Sequence, residues 1–72
     1  ICEAAKKAID DGFHGYSPVA GYPDLRKAIA DKLRRDNGLT WGPENIVVST
    51  GAKHALANAI QVLVNPGDEV II

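Results

Sequence analysis

The chain has 72 residues, of which 46% are hydrophobic and 24% are charged, a mixture typical of globular chains rather than disordered ones. Eight basic against nine acidic residues give a net charge of −1, so neither nucleic acid nor an anionic membrane is a predicted partner. The single cysteine cannot form an internal disulfide, and no Cys/His spacing suits a metal site. We therefore expect a cytoplasmic protein without a bound metal.

The first segment has the pattern of a helix. Cys2, Ala5 and Ile9 recur at helical spacing, and Gly12 follows as a stop signal. The sequence begins without methionine inside this pattern, and it ends inside an apolar run. Both ends are therefore expected to be truncations, with residues 1–72 forming part of one larger domain.

A loop and a second helix are predicted next. Residues 13–22 contain glycine and proline without helical periodicity, which indicates an ordered loop. Pro23 suits the first position of a helix, and Asp24 then lies at the positive end of the helix dipole. The helix is expected to bury one apolar face and to end at Asn37–Gly38. Its polar face is expected to be solvated and carries three arginines: Arg26, Arg34 and Arg35.

The remaining pattern predicts a strand, a helix and a strand. Ile46–Val48 is a short, β-branched run, typical of a strand covered on both faces in a parallel sheet. Six apolar residues then follow the helical repeat until Asn65–Gly67 ends it: Ala52, Ala55, Leu56, Ala59, Ile60 and Leu63. Val70–Ile72 predicts the second strand. The fold class is therefore α/β, in the order helix, loop, helix, strand, helix, strand.

The turn from Ser49 to Lys53, between the first predicted strand and its helix, is the candidate site. Ligands of open α/β sheets gather beyond the carboxyl ends of strands, where free helix N–H groups bind anions and a glycine permits close approach. Lys53 is a cation at the unfavourable end of the helix dipole, and a bound anion would relieve this repulsion. Alternatively, Thr50 only caps the helix and Gly51 only eases a tight turn. Spacing leaves both open, although P-loop and dinucleotide motifs are absent.

Four segments, in this order, resemble the class I aminotransferases of fold type I, and particularly the bacterial aspartate aminotransferases. They are YSPVAG from Tyr16, PDLRKAIA from Pro23, STGAKHAL from Ser49 and NPGDEVI from Asn65. The resemblance implies that the chain is part of the large domain that binds pyridoxal phosphate in this family.

The resemblance also implies roles for particular residues. The backbone N–H groups of Gly51, Ala52 and Lys53 would hold the cofactor phosphate. The Lys53 side chain would also bind the distal carboxylate of an acidic substrate. Tyr16 would reach across a homodimer interface to the phosphate site of the neighbouring subunit.

For the whole protein, the resemblance implies amino-group transfer between aspartate and 2-oxoglutarate. The family's Schiff-base lysine, its pyridine-pairing aspartate and its carboxylate-binding arginine all lie beyond residue 72. No catalytic residue is therefore expected here, and the 72-residue chain alone is expected to be inactive. In the family, strands from later in the chain separate the two predicted strands. The alternative is an aminotransferase-like effector domain in a regulator that senses pyridoxal phosphate and binds DNA through a separate module.

Overall fold

The computed structural model describes all residues from 1 to 72. It contains three α-helices, α1 (Cys2–Asp10), α2 (Pro23–Asn37) and α3 (Ala52–Leu63), and a short 3-10 turn at Pro43–Asn45. The three predicted helices and the predicted loop before α2 are confirmed. The chain is elongated, with extents of 48 × 28 × 21 Å, and Ala30 is its single buried residue. The chain therefore does not enclose a core of its own.

The two predicted strands are not confirmed, because the structure contains no β-strand. Ile46 has the extended dihedral angles of a strand, φ −111° and ψ 129°. The segment Ile46–Val48 makes one backbone hydrogen bond to a distant part of the chain, from the Val48 N–H to the Ala20 carbonyl at 2.9 Å. A strand requires a ladder of such bonds to a neighbour. Neither this segment nor Val70–Ile72 has such a neighbour, so the predicted α/β class is not realised within this chain.

Helix α2 packs against another part of the chain. It begins with Pro23 and ends at Gly38, whose φ of 67° lies in the left-handed region that terminates helices. Its inner face carries Ala30, which is 6% exposed, next to the half-buried Ile29. The 3-10 turn Pro43–Asn45 is the element that packs on α2. This contact positions the extended segment that follows the turn.

Helix α3, in contrast, buries no residue. The side chains of Leu56 and Leu63 are 63% and 76% exposed. An open, mainly apolar groove of about 510 Å³ lies between this helix and the preceding segment, and its walls include Val47, Ala59 and Leu63. The apolar faces of α3 therefore lack cover within these 72 residues. None of the helices combines the length and the apolar character needed to cross a membrane.

Candidate functional site

The turn from Ser49 to Lys53 connects the extended segment to α3. Gly51 occupies the N-cap position with φ 87° and ψ 166°, a region of backbone space that is essentially restricted to glycine. A Cβ atom placed on Gly51 would meet no atom within 4 Å. The backbone path therefore requires glycine here, and the space above the turn is open to a ligand.

The first turn of α3 presents free hydrogen-bond donors. The backbone N–H groups of Ala52, Lys53 and His54 have no acceptor, and the first paired N–H is that of Ala55, which donates to the Gly51 carbonyl at 3.1 Å. Of the three N–H groups predicted to bind phosphate, those of Ala52 and Lys53 are thus free. The N–H of Gly51 donates to the carbonyl of Ser49 at 3.0 Å. Free N–H groups at the positive end of a helix form a natural anion site.

The alternative in which Thr50 caps α3 is wrong. The N-cap residue is Gly51, and no side chain caps the helix. Instead, the Thr50 N–H donates to Nδ1 of His54 at 3.0 Å. The turn is also bonded through the side chain of Asn58, whose Nδ2 donates to the Ser49 hydroxyl oxygen at 3.4 Å. These two contacts shape the turn from its own helix but leave the donors of the first helical turn unsatisfied.

Lys53 is an unpaired cation beside these donors. Its side chain is exposed, and none of the ion pairs or side-chain hydrogen bonds of the chain involves it. The first turn of α3 contains no acidic residue. Three free N–H groups, the helix dipole and the lysine charge therefore add up to a local positive potential, although the chain as a whole is nearly neutral.

Tyr16 lies apart from this turn within the chain. Its side chain is fully exposed, at 107% of the reference value, and stands free of the surrounding residues. Phe13 and Tyr22 close the base of the same loop through an edge-to-face contact, with ring centroids 6.4 Å apart and an interplanar angle of 86°. The loop is therefore fixed at its base and presents Tyr16 outward. With its side chain fully exposed, Tyr16 does not pack on Gly51 or Lys53 within this chain.

Arg26 departs from the prediction of a solvated arginine. Its Nε donates to the carbonyl oxygens of Pro43 and Ile46, each at 3.0 Å, and the residue is half-buried. The other two predicted arginines, Arg34 and Arg35, are exposed and pair with carboxylates of α2 itself. The prediction of a solvated face is therefore right for two arginines and wrong for Arg26.

Sequence reasoning also missed His54 and Asn58 as residues that shape the turn. A histidine one helical turn after Thr50 can reach back to its N–H, and this spacing was available as a signal. The contact of Asn58 spans nine residues and has no comparable local signal. The bonds of Arg26 span 17 and 20 residues and depend on tertiary packing.

Comparison with known proteins gives a consistent result along the whole chain. The model of the family described as aminotransferase class I and II matches residues 1–72. The chain is 50% identical to an aspartate/prephenate aminotransferase of Thermus thermophilus and 51% identical to one of Cereibacter sphaeroides. It is 46% identical to an aspartate aminotransferase of a Bacillus species.

These alignments include the full chain but only 18 to 19% of each relative. The chain thus spans about a fifth of the length of the curated relatives it matches. No solved structure matches the chain.

Proposed function

The chain belongs to the class I and II aminotransferases, and on this basis we propose that the full-length protein transfers an amino group from aspartate to 2-oxoglutarate with pyridoxal phosphate. The names of the relatives, which are aspartate and aspartate/prephenate aminotransferases, support the reaction class. The structural observation that carries the proposal is the uncapped N-terminus of α3. There, free N–H groups, an open glycine and an unpaired lysine converge.

The turn fits a phosphate group. A phosphate dianion offers several acceptor oxygens, and the free N–H groups of Ala52 and Lys53 point from the positive end of a helix. Gly51 leaves space for the close approach of the group, and its N–H joins the set by exchanging its bond to Ser49 for one to a phosphate oxygen. In the proposed enzyme these three residues anchor the cofactor. When bound, pyridoxal phosphate supplies the electron sink of the reaction.

Lys53 is proposed to serve the substrate as well. Its N–H belongs to the phosphate-binding set, while its side chain is free to reach a second anion, since no residue of the chain pairs with it. A dicarboxylic amino acid carries a distal carboxylate that a lysine binds by a charge-assisted hydrogen bond. This would favour aspartate over amino acids with an uncharged side chain.

Tyr16 is proposed to act in a homodimer. Its full exposure on a loop that is closed at its base by Phe13 and Tyr22 supports a contact outside its own chain. We expect its hydroxyl to reach the cofactor phosphate of the partner subunit. In the full-length protein, Tyr16→Phe should therefore lose pyridoxal phosphate faster on dialysis, by about threefold to tenfold, the effect of one hydrogen bond of about 1 kcal/mol. The visible absorbance of the cofactor measures this loss, with Tyr22→Phe as the matched control. Equal retention by both variants would remove the proposed contact.

The regulator alternative receives no support from the comparisons. The relatives described above are named as aminotransferases, and none of these names denotes a regulator. We propose a cytoplasmic enzyme, and we expect the 72-residue chain alone to be inactive. The reason is that the family's catalytic residues are expected to lie beyond residue 72.

The direct test uses the purified full-length protein. We expect visible absorbance from bound pyridoxal phosphate and formation of glutamate from aspartate and 2-oxoglutarate. Gly51→Ala should weaken cofactor binding for two reasons. Alanine at this backbone position is strained by about 1 to 3 kcal/mol, and its methyl group occupies the open space above the turn. A wild-type protein that binds no pyridoxal phosphate would disprove the proposal.

A further inference from the structure

Arg26 makes contacts that the proposed function does not use. It lies near the start of α2, and its Nε donates to two carbonyl oxygens of another segment, those of Pro43 and Ile46, at 3.0 Å each. These oxygens lie at the two ends of the turn that leads into the extended segment. Ile46 is three residues before Ser49, or about 10 Å along an extended chain. Arg26 thus fixes the position of Ile46, and the chain runs from Ile46 to the phosphate-binding turn.

A second contact holds the other end of this extended segment. The N–H of Val48 donates to the carbonyl of Ala20 at 2.9 Å. The next residue, Gly21, has a φ of 101°, and a Cβ atom on it would lie 2.7 Å from Cγ2 of Val48. Glycine is therefore needed for both the backbone conformation and the close approach of Val48. Ile46 and Val48 are both held by residues that lie between 20 and 26.

We propose that Arg26 is a positioning residue for the cofactor site: together with Ala20 and Gly21 it fixes the segment Ile46–Val48 and so sets the place of the turn Ser49–Lys53. This inference rests on the proposed function, because it concerns binding of the cofactor phosphate. Hydrogen bonds to a phosphate require donor to acceptor distances near 2.7 to 3.2 Å, so a small displacement of the turn weakens several bonds together.

The same contacts connect the phosphate-binding turn to the loop of Tyr16. Ala20 lies four residues after Tyr16, and its carbonyl bonds to the segment that enters the turn. The residues that place the turn of one subunit therefore also place the tyrosine proposed to reach its partner. Arg26 is consequently expected to influence cofactor binding without touching the cofactor.

The chain offers a matched control in the same helix. Arg34 carries the same charge, but its Nη2 donates to Asp31 in the same helix at 3.0 Å. Arg26→Met removes the donors and keeps an unbranched apolar side chain, whereas Arg26→Lys retains a cationic donor of similar length. Arg34→Met removes an equal charge without a contact to residues 43–46. The three variants separate loss of positioning from loss of charge.

The experiment measures cofactor affinity of the full-length apoprotein by titration with pyridoxal phosphate, well below the unfolding temperature of each variant. We expect the dissociation constant to rise about tenfold in Arg26→Met, which corresponds to about 1.4 kcal/mol. The dissociation constant should rise less than about threefold in Arg26→Lys, because lysine retains a charged donor. It should stay within about twofold in Arg34→Met, because Arg34 never donates to residues 43–46. Hydrogen exchange of the apoprotein should accelerate in residues 44–54 of Arg26→Met alone.

A merely structural role gives a different result. Arg26→Met would then lower the unfolding temperature but bind pyridoxal phosphate as Arg34→Met does, which would overturn the inference and leave the proposed function intact. Should Arg26→Met fail to fold, Arg26→Gln, with a shorter side chain and one amide donor, is expected to show a rise between those of the lysine and methionine variants. Unchanged affinity in Arg26→Gln would also overturn the inference. Absence of binding by the wild-type protein would overturn the proposed function together with it.

Discussion

Helices α2 and α3 are both amphipathic, but they differ in their packing, in their ends and in the pairing of their charges. Helix α2 starts with a proline and an acidic residue, packs on the turn Pro43–Asn45 and ends at a left-handed glycine. Five of its charged residues pair with one another within the helix: Lys27, Asp31, Arg34, Arg35 and Asp36. Helix α3 has no side-chain cap, no acidic residue in its first turn and no buried residue. Helix α2 thus carries charges that pair within the chain, whereas the chain supplies neither a charge partner for Lys53 of α3 nor cover for the apolar side of that helix.

The difference indicates what α3 requires from outside these 72 residues. Its apolar faces require cover from protein, because Leu56, Val62 and Leu63 are more than half exposed. Its N-terminus is available to an anionic acceptor, because three N–H groups and Lys53 are unpaired. An anion at one end and protein packing along the side are the two kinds of partner that a helix in a cofactor-binding domain would have.

The largest expected effect concerns the apolar side of α3. Ile60 is 45% exposed within these residues, yet we expect other parts of the full-length fold to cover it. Ile60→Ala should then lower the free energy of unfolding by about 2 to 5 kcal/mol, the range for a buried large-to-small substitution. Chemical denaturation of the full-length protein measures this, with Arg34→Ala on the polar face of α2 as the control. A loss as small as that of the control would mean that α3 stays uncovered.

The next effect tests the close approach of Val48 to Gly21, which lies just before α2. Gly21→Ala adds a methyl group 2.7 Å from Val48 at a φ of 101°, whereas Gly12→Ala adds one at a φ of 83° with no atom within 4 Å. Both incur the strain of a positive φ, about 1 to 2 kcal/mol. Gly21→Ala should lose about 1 to 3 kcal/mol more, as in other overpacked sites. Denaturation curves that coincide for the two variants would contradict the close approach.

A smaller effect tests the N-terminus of α3. In the full-length protein, Lys53→Ala should reduce kcat/KM for aspartate by about tenfold to hundredfold, the value of a charge-assisted hydrogen bond. The loss for an aromatic amino acid should be smaller, since it has no distal carboxylate. Lys27→Ala, which removes a charge from α2, is the control and should change kcat/KM for neither substrate. Equal losses for both substrates would remove the selectivity role of Lys53.

The helices were predictable because their signals are local. Pro23 and Gly38 bound α2 by backbone properties of proline and glycine, and the apolar repeat of α3 continues until Asn65–Gly67. The strands were not realised, since a strand depends on pairing with neighbours that these 72 residues do not provide. Ile46 shows this clearly: its dihedral angles are extended, but no ladder forms around it. Local preference thus sets the conformation of the segment, and pairing decides whether it is a strand.

The sequence indicates the local geometry of the turn Ser49–Lys53, but it does not indicate the distant residues that contact the segment leading into it. Gly51 and Lys53 stand out because a glycine and a cation at a helix start are locally unusual. Arg26 looks like any arginine on a polar helix face, and only the tertiary structure shows that it bonds to Pro43 and Ile46. Positioning residues of this kind are therefore the part of a site that sequence patterns reveal least.

The smallest expected effect concerns the charges that α2 pairs within itself. A hydrogen bond from Lys27, followed by the charges of Lys27, Arg34 and Arg35, lowers the pKa of the Asp31 carboxyl below its ordinary value of 3.8. A carboxyl with a lowered pKa stabilises the folded state above the unfolded-state pKa, and this contribution disappears as the pH falls through the folded-state value. Lys27→Met should therefore raise the pKa of Asp31 towards its ordinary value and reduce this acid-dependent contribution.

An NMR titration of the Asp31 carboxyl measures this shift, with Lys32→Met as a control that removes the same charge from the adjacent position. Because the side chains of Lys27 and Asp31 are 72% and 42% exposed, the free energy of unfolding at neutral pH should change little. A pKa that moves equally in both variants would show that the general field of α2, and not the Lys27 contact, holds the carboxyl ionised. A pKa that moves only in Lys27→Met would show that α2 satisfies its charges through specific pairs, which α3 does not do for Lys53.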